Sequence, residues 1–222
     1  EERTDEIGAM NSVFNQTIEK IEQLIKQVVE METVNKDIEF QALQAQINPH
    51  FLFNMLNNAN ILVKDAPDEA SQILEKLDNL LRYQLNDSTR REVFLTADIQ
   101  FLTSFLELEK VRRDHFEYTI FQEGNMENIC IPPLLFIPFV ENAVKHNLDS
   151  DNLSYVHLYF SVHNKQLTFR CENSKPRVPV KREGGIGLAN VKRRLDLLYE
   201  SRYTLQIEDK ETTYNVNLHL NL

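Results

Sequence analysis

The stretch that decides the fold is Gln44-Ala-Gln-Ile-Asn-Pro-His-Phe-Leu-Phe-Asn54, at the end of a long helical pattern. Pro49 removes one backbone hydrogen bond within this pattern and kinks the helix axis. His50 follows it directly and precedes the apolar run Phe51–Phe53, so an ionisable imidazole stands in an apolar turn. Taken alone, the stretch favours a structural histidine in a kinked core helix, because most histidines are structural. A functional role depends on motifs further along the chain.

Length and composition limit what the chain can be. Its 222 residues are comfortable for two domains, and 42% hydrophobic residues are enough to build a core. The net charge of −10 argues against nucleic acid as the main partner. No apolar run is long enough to span a membrane, and no signal peptide is visible. Cys130 and Cys171 have neither metal-ligand spacing nor a disulfide pattern, so we expect reduced core thiols, as in the cytosol.

The N-terminal segment keeps a heptad repeat of apolar residues from Ile7 to Met31, which predicts a parallel dimeric coiled coil. The repeat forms two tracks: Ile7, Phe14, Ile21 and Val28, and Met10, Leu24, Met31 and Ile38. Asp5-Glu-Ile-Gly8, followed by Phe14-Asn15, also resembles the second helix of a HAMP signalling module. The chain does not begin with Met, so we expect a longer protein. The HAMP resemblance implies a membrane span and a sensor upstream of this segment.

Helical patterns continue to about residue 112. The first resumes after Pro49 and runs from Phe51 to Val63, and Ala66-Pro-Asp68 turns the chain into the next helix. The apolar stripe of that second helix is Ile73, Leu77, Leu80, Leu81 and Leu85. Doubled by the coiled coil, the two helices predict a four-helix bundle. Thr96-Ala-Asp98 opens a third helix, whose predicted buried side is Ile99, Leu102, Leu106 and Val111.

After residue 115 helices and strands alternate, which predicts an α+β sandwich. Predicted strands cover Phe116–Phe121, Tyr155–Val162, Gln166–Cys171, Tyr203–Ile207 and Tyr214–Leu220. Predicted helices cover Leu134–His146 and the segment from Gly184 to about Tyr199. The polar segment Asn173–Glu183 is predicted to be a mobile loop.

Two motifs in this second half suit a nucleotide. Glu141, Asn142, Lys145 and His146 fall within about one helical turn, and oxygen ligands with a lysine suit Mg²⁺-bound triphosphate. A capped surface turn at the end of a core helix explains the same residues equally well. Gly184-Gly-Ile-Gly187 precedes a helix, and such a turn lets backbone N–H groups approach phosphate. A helix-initiating turn is the commoner reason for such glycines.

Together with the stretch around His50, these motifs resemble the LytS/YehU/YesM-type sensor histidine kinases. Gln46–Asn54 resembles the phosphoacceptor box of that family, Glu141–His146 the N box of its ATPase domain, and Gly185–Leu195 the glycine box. Leu80–Tyr83 and Phe105–Arg112 resemble the segments between them. The resemblance implies an α+β fold, with a coiled coil and dimeric four-helix bundle before a Bergerat-type ATPase domain. The implied domains are 1–35, 36–115 and 116–222.

The resemblance implies that His50 is phosphorylated by ATP with Mg²⁺ and passes its phosphoryl group to an aspartate of a response regulator. The resemblance implies that Asn142 binds the Mg²⁺ ion. It also implies that Glu141 acts as a base and that Asn54 orients a water molecule. The residues that it assigns to binding ATP are Lys145, His146, Asn173, Gly185 and Gly187. It also implies a homodimer at the cell membrane, with this chain on the cytoplasmic side and the membrane spans upstream.

Two departures from the family pattern keep alternatives open. Many relatives carry an aspartate that accepts the adenine amino group, where this chain has Asn173, so the charge-assisted part of that hydrogen bond is lost. Phe51 stands where a larger class of histidine kinases has an acid after its histidine. A degenerate kinase that acts as a dimeric signalling adaptor is the first alternative. A non-kinase ATPase is the second, and it leaves the box around His50 unexplained.

Overall fold

The computed structural model describes residues 49–88, 90–147, 153–176 and 186–222, with four isolated positions nearer the N-terminus. The chain divides into two units, Glu1–Ala45 and Gln46–Leu222. In the first unit, the isolated positions Ile18, Lys20, Gln23 and Lys26 are helical and exposed. The heptad tracks, the HAMP-like segment and the helix before Pro49 lie outside the described residues.

Two helices joined by Ala66 open the described part of the second unit. Helix α1 (Pro49–Asp65) and helix α2 (Pro67–Arg82) pack against each other. Pro67 occupies the first turn of α2, where the missing N–H costs nothing. Their buried faces are Phe51, Met55 and Ala59 on α1, and Ala70, Ile73, Leu77 and Leu80 on α2.

Leu85 is exposed, although the helical spacing predicted that it would be buried. The helix ends at Arg82, and the chain continues as a π-helical turn over Tyr83–Asp87. A π-helix has more residues per turn than an α-helix, so the spacing of the stripe no longer keeps Leu85 on the buried face.

Helix α3 (Leu95–Arg112) follows the short strand β1 (Val93–Phe94) and is buried over most of its length. It begins one residue before the predicted Thr96. Of its four predicted core residues, Val111 is exposed, because it lies in the last turn, where the helix leaves the core. β1 pairs antiparallel with strand β3 (Cys130–Ile131), and neither strand was predicted.

A five-stranded sheet forms the rest of the fold, in the order β2-β4-β5-β7-β6. Its strands are β2 (Phe116–Glu123), β4 (Ser154–His163), β5 (Gln166–Ser174), β6 (Tyr203–Asp209) and β7 (Thr213–Asn221). β2 pairs parallel with β4, and the other pairs are antiparallel. Asn164 and Lys165, both at positive φ, form the two-residue turn between β4 and β5, as a type I′ hairpin requires. Asn173 and Ser174 belong to β5, so the prediction that a loop begins at Asn173 was wrong. Residues 177–183 of the predicted loop lie outside the described residues.

Helix α4 (Ile137–His146) packs on β4 and β5, and helix α5 (Ile186–Tyr199) packs on α4. The core beneath α4 is aromatic: the Phe169 ring lies 4.5 Å from that of Phe136 and 5.0 Å from that of Phe160. The predicted mixed α+β class is confirmed by these elements, while the dimeric bundle stays a prediction.

The helix predicted from Leu134 begins only at Ile137. Leu134 adopts a left-handed backbone conformation with φ of 56°, which no residue inside a right-handed helix has. Hydrogen bonds with Asp98 and Arg194, which are distant in sequence, hold it there.

Both cysteines are free thiols, as expected, but only Cys171 is buried. Cys130 is exposed, so the prediction that it is a core thiol was wrong. It lies on β3, one of the two-residue strands, in which Ile131 takes the buried position. In the described ranges, no helix is both long and apolar enough to cross a bilayer.

Candidate functional site

Helix α4 presents the predicted N-box side chains on the face opposite its core contacts. Its residues Phe139, Val140, Ala143 and Val144 are buried against the sheet and fix the rotation of the helix. Glu141 and Asn142 are therefore half-buried, and so is His146, while Lys145 is exposed. A carboxylate, an amide and an ammonium group therefore lie on one side of the helix.

The C-terminal end of α4 is held by a side-chain network. Arg113 donates to the carbonyl of Val144 (2.8 Å) and to Oδ1 of the fully buried Asn147 (2.9 Å). Asn147 donates in turn to the carbonyl of Tyr155 (3.1 Å). Because Nε of Arg113 also lies 3.3 Å from the buried Glu109 carboxylate, the helix end is tied to α3.

Glu141 is the perturbed acid of the site. Burial, with a smaller contribution from the nearby charge of Glu109, raises the pKa of its carboxyl from 4.5 to about 7. It lines a cavity of about 10 Å³ whose other lining residues are Phe51, Leu52, Leu80, Gln84, Phe101, Phe105 and Ile137. A space of this size holds about one water molecule, so it is not a nucleotide pocket. Its importance is that Glu141 shares it with Phe51, the neighbour of His50.

His50 lies in the first turn of α1, directly after Pro49, and its side chain is outside the described part of the structure. The next residue, Phe51, is anchored: its ring centroid lies 4.9 Å from that of Phe105 on α3. Asn54, one turn further along α1, is half-buried. The backbone at the predicted phosphoacceptor is thus positioned by aromatic packing against α3.

Asn173 lies near the end of β5 and is 1% exposed. Its Nδ2 donates to the carbonyl of Ser174 (2.8 Å), and its backbone pairs with those of Val156 and Tyr214. An amide satisfied in this way can still accept a hydrogen bond through its oxygen, but it carries no charge.

Of the predicted glycine box, Gly187 lies in the first turn of α5, and Gly185 lies outside the described residues. The structure therefore brings α4, β5 and α5 together as adjoining elements, and α1 meets α4 at the cavity of Glu141. The predicted roles of the individual residues stay predictions.

Asn142 and Lys145 have side chains that suit a magnesium ion bound through a nucleotide. Throughout the described ranges, no group of three or more His, Cys, Asp or Glu side chains could hold a metal ion. Mg²⁺ is commonly bound by one or two protein oxygens together with substrate phosphates. The half-buried amide of Asn142 fits that mode, and Lys145 on the same helix fits a phosphate charge.

A buried polar cluster was missed by sequence reasoning. Asp98, which is fully buried, accepts hydrogen bonds from the Tyr83 hydroxyl (2.6 Å) and the Leu134 N–H (2.9 Å). On the other side, Arg194 donates to the carbonyls of Leu134 (2.8 Å) and Pro133. We call Tyr83, Asp98, Leu134 and Arg194 the Leu134 node.

The sequence held a signal for this node. Tyr83 and Arg194 fall in segments that resemble the kinase family, and an acid at 98 lies inside an apolar stripe. Asp98 was interpreted only as part of the residues that open a helix, yet α3 has no side-chain cap and the carboxylate bonds to a distant segment. Burial raises the pKa of Asp98 to about 6 and lowers that of Arg194 to about 10.

Comparison with known proteins gives consistent matches. Residues 38–116 match the family model of histidine kinases. The sensor protein LytS of Staphylococcus haemolyticus is 31% identical over 200 residues, covering 83% of this chain and 34% of that protein. The sensor histidine kinase YesM of Bacillus subtilis is 27% identical over 218 residues, covering 95% of this chain and 38% of that protein. The chain thus spans about a third of the length of these relatives.

Among solved structures, the histidine kinase domain of a blue-light activated kinase from Erythrobacter litoralis EL346 aligns with a TM-score of 0.46. It is 17% identical and covers 86% of this chain and 94% of that domain.

Proposed function

The chain belongs to the LytS/YesM-type sensor histidine kinases, and on that premise we propose that it transfers a phosphoryl group from ATP to His50. The group then passes to an aspartate of a response-regulator receiver domain. The sensor-kinase identity of the relatives and the family match over 38–116 support a kinase rather than another ATPase.

The observation that carries this proposal is the cavity shared by Glu141 and Phe51. Glu141 belongs to the helix proposed to bind nucleotide, and Phe51 is the neighbour of the proposed acceptor. The two helices therefore adjoin within one compact unit. Phosphoryl transfer needs mainly positioning and charge neutralisation, so an acceptor helix next to the nucleotide-binding helix is the required arrangement.

ATP, when bound, supplies the phosphoryl group and carries Mg²⁺ on its phosphate oxygens. Asn142 would hold the ion through its amide oxygen, and Lys145 and His146 would contact phosphate. Gly185 and Gly187 would allow backbone N–H groups at the start of α5 to approach the same phosphates. These residues bind and orient the nucleotide.

Glu141 is proposed as the base that takes the proton from the His50 imidazole. Its pKa of about 7 means that a useful fraction is ionised at neutral pH, while its basicity remains high enough to accept a proton. Neutral imidazole is itself a competent acceptor at this pH. Asn54, one turn beyond His50, is proposed to orient a water molecule when the phosphohistidine is hydrolysed.

The direct test is incubation of the chain with labelled ATP and Mg²⁺. We expect a label that is lost in acid and stable in base, as a phosphohistidine is, and that is absent from His50→Gln. His115→Gln is the matched control, because His115 is exposed and lies outside the proposed site. Label persisting in His50→Gln would overturn the assignment, whereas loss in both variants would point to a damaged fold.

The family relationship also supports proposals about the whole protein. We propose a homodimer built on residues 1–35 and 36–115, an ATP-binding domain over 116–222, and attachment to the cell membrane through segments upstream of this chain. The described helices would then lie on the cytoplasmic side, where response regulators are found. Crosslinking in solution at several protein concentrations tests the dimer directly.

Asn173 favours a second candidate, a degenerate kinase that serves as a dimeric adaptor. Its buried amide replaces the carboxylate that many relatives use for adenine, and it already donates to the carbonyl of Ser174. Titration with a fluorescent ATP analogue separates the two functions: a kinase binds it in a Mg²⁺-dependent way, and an adaptor does not. Asn173→Asp should tighten binding only if the site is used for adenine.

A further inference from the structure

The Leu134 node joins three segments whose relative positions matter for the proposed reaction. Tyr83 begins the π-helical turn at the end of α2, Asp98 lies on α3, and Arg194 lies on α5, within the predicted glycine box. Leu134 itself lies three residues before the start of α4. Every connection is a hydrogen bond between buried groups.

Leu134 is the centre because both of its backbone polar groups are engaged from opposite sides. Its N–H donates to Asp98, and its carbonyl accepts from Arg194. Its φ of 56° is unfavourable for a leucine, so these bonds hold a conformation that the residue would otherwise leave. A displacement of Arg194 therefore acts on the same residue that Asp98 holds.

The far end of the node is also a place where helix geometry changes. Tyr83 stacks on Phe101, with ring centroids 4.8 Å apart, and its hydroxyl is fixed by Asp98. The π-helical turn starts at this residue, and π-helical turns are frequent at functional sites. Gln84, in the same turn, lines the cavity that Glu141 shares with Phe51. The node thus ends beside the proposed acceptor helix.

We propose that Tyr83, Asp98 and Arg194 are positioning residues. They couple helix α5 and the segment before α4 to the end of α2, the helix that packs against the His50-bearing helix α1. The effect of these residues on catalysis rests on the proposed kinase function. The coupling itself requires only that nucleotide binds. None of the three residues is proposed to contact the reacting atoms. They set the geometry in which α4 meets α1.

The first test uses Tyr83→Phe, which removes one hydroxyl and keeps the stacked ring. We expect His50 phosphorylation at saturating ATP to slow about tenfold, the size expected for loss of one hydrogen bond to a charged acceptor. Affinity for a non-hydrolysable ATP analogue should stay unchanged. Asp98→Asn should retain more activity than Asp98→Ala, because its amide oxygen can still accept from Tyr83 and Leu134. Tyr118→Phe on β2 is the matched control and should behave as wild type.

A rate equal to that of wild type in Tyr83→Phe overturns the proposal. So does a parallel loss of rate, analogue affinity and thermal midpoint, because that pattern describes a purely structural tyrosine.

The second test does not need kinase activity. In wild type, Mg²⁺ with the non-hydrolysable analogue should slow amide exchange in α2 and in the turn Tyr83–Asp87. Tyr83→Phe should weaken this response, and Tyr118→Phe should keep it. Absence of a nucleotide effect on these amides in wild type overturns the inference. If wild type shows the effect but does not label on His50, the coupling holds and the proposed kinase function fails.

Discussion

Replacement of Glu141 by glutamine should change how the stability of the protein depends on pH. Burial and the charge of Glu109 raise the pKa of the Glu141 carboxyl from 4.5 to about 7 in the folded state. Between these values the folded protein binds more protons than the unfolded chain. The contribution of Glu141 to stability is therefore present below the unfolded pKa and is lost as pH rises towards the folded one.

The size of the effect follows from the two pKa values. Their separation corresponds to about 3 kcal/mol once the carboxyl is fully ionised in both states. Glu141 keeps some solvent contact, which screens its charge, so we expect about 2 kcal/mol. Glutamine has nearly the same shape and does not ionise. The stability of Glu141→Gln relative to wild type should therefore rise by about 2 kcal/mol from about pH 5 to about pH 8.

Urea unfolding followed by circular dichroism measures this difference. With a urea dependence of about 2 kcal/mol per molar, the midpoint of the variant should move by about 1 M relative to wild type across that pH range. Any cost of burying the amide is the same at each pH and cancels. Glu117→Gln, an exposed substitution on β2, controls for the change of residue type. A constant difference between Glu141→Gln and wild type across the range would refute the reasoning.

Three further outcomes are expected. A thiol reagent should modify the exposed Cys130 quickly in the native protein. It should reach the buried Cys171, whose pKa is raised to about 12 by burial, only after denaturation. Fast modification of both thiols would contradict the fold. Gly124→Ala should lower the free energy of unfolding by about 2 kcal/mol, because φ at this residue is +87° and a new Cβ would lie 2.3 Å from the carbonyl oxygen of Val162. An unchanged urea midpoint would exclude this clash. Phe169→Ala should lower the free energy of unfolding in urea by about 4 kcal/mol, because the buried Phe169 ring contacts three other phenylalanines. A loss smaller than that of Phe121→Ala, at an exposed position, would be inconsistent with a core position for Phe169.

Local patterns in the sequence predict most of the described elements well. The strands at Tyr155–Val162 and Tyr214–Leu220 were predicted one residue short at each end. Apolar residues alternate along a strand that buries one face, so the strand can be recognised from neighbouring residues alone. The same holds for α2, where Pro67 and the apolar stripe determine the start of the helix and its buried face.

The errors arise where distant contacts determine a local conformation. The start of α4 was misplaced because Leu134 is held left-handed by Asp98 and Arg194, which are remote in sequence. Leu85 was misplaced because a π-helical turn changes the spacing of the stripe. No local pattern contains either piece of information.

The candidate site shows the same division. Motifs predicted that Glu141 and Asn142 would share a helix, and they lie together on α4. That Glu141 would meet Phe51 in one cavity is a property of tertiary packing, which a single sequence does not reveal. The family resemblance supplies roles for His50 and Gly185, and these roles await the labelling experiment.

The two-residue turn at Asn164 and Lys165 has a consequence for the order of folding. Such a turn closes a hairpin locally, on a time scale of about 1–10 µs, and pairing then proceeds from the turn outward. His163 and Gln166 pair next to the turn, whereas Asn173 pairs with Val156 at the opposite end of the hairpin. The strand segment proposed to meet adenine should thus be among the last of this hairpin to become protected when the chain folds.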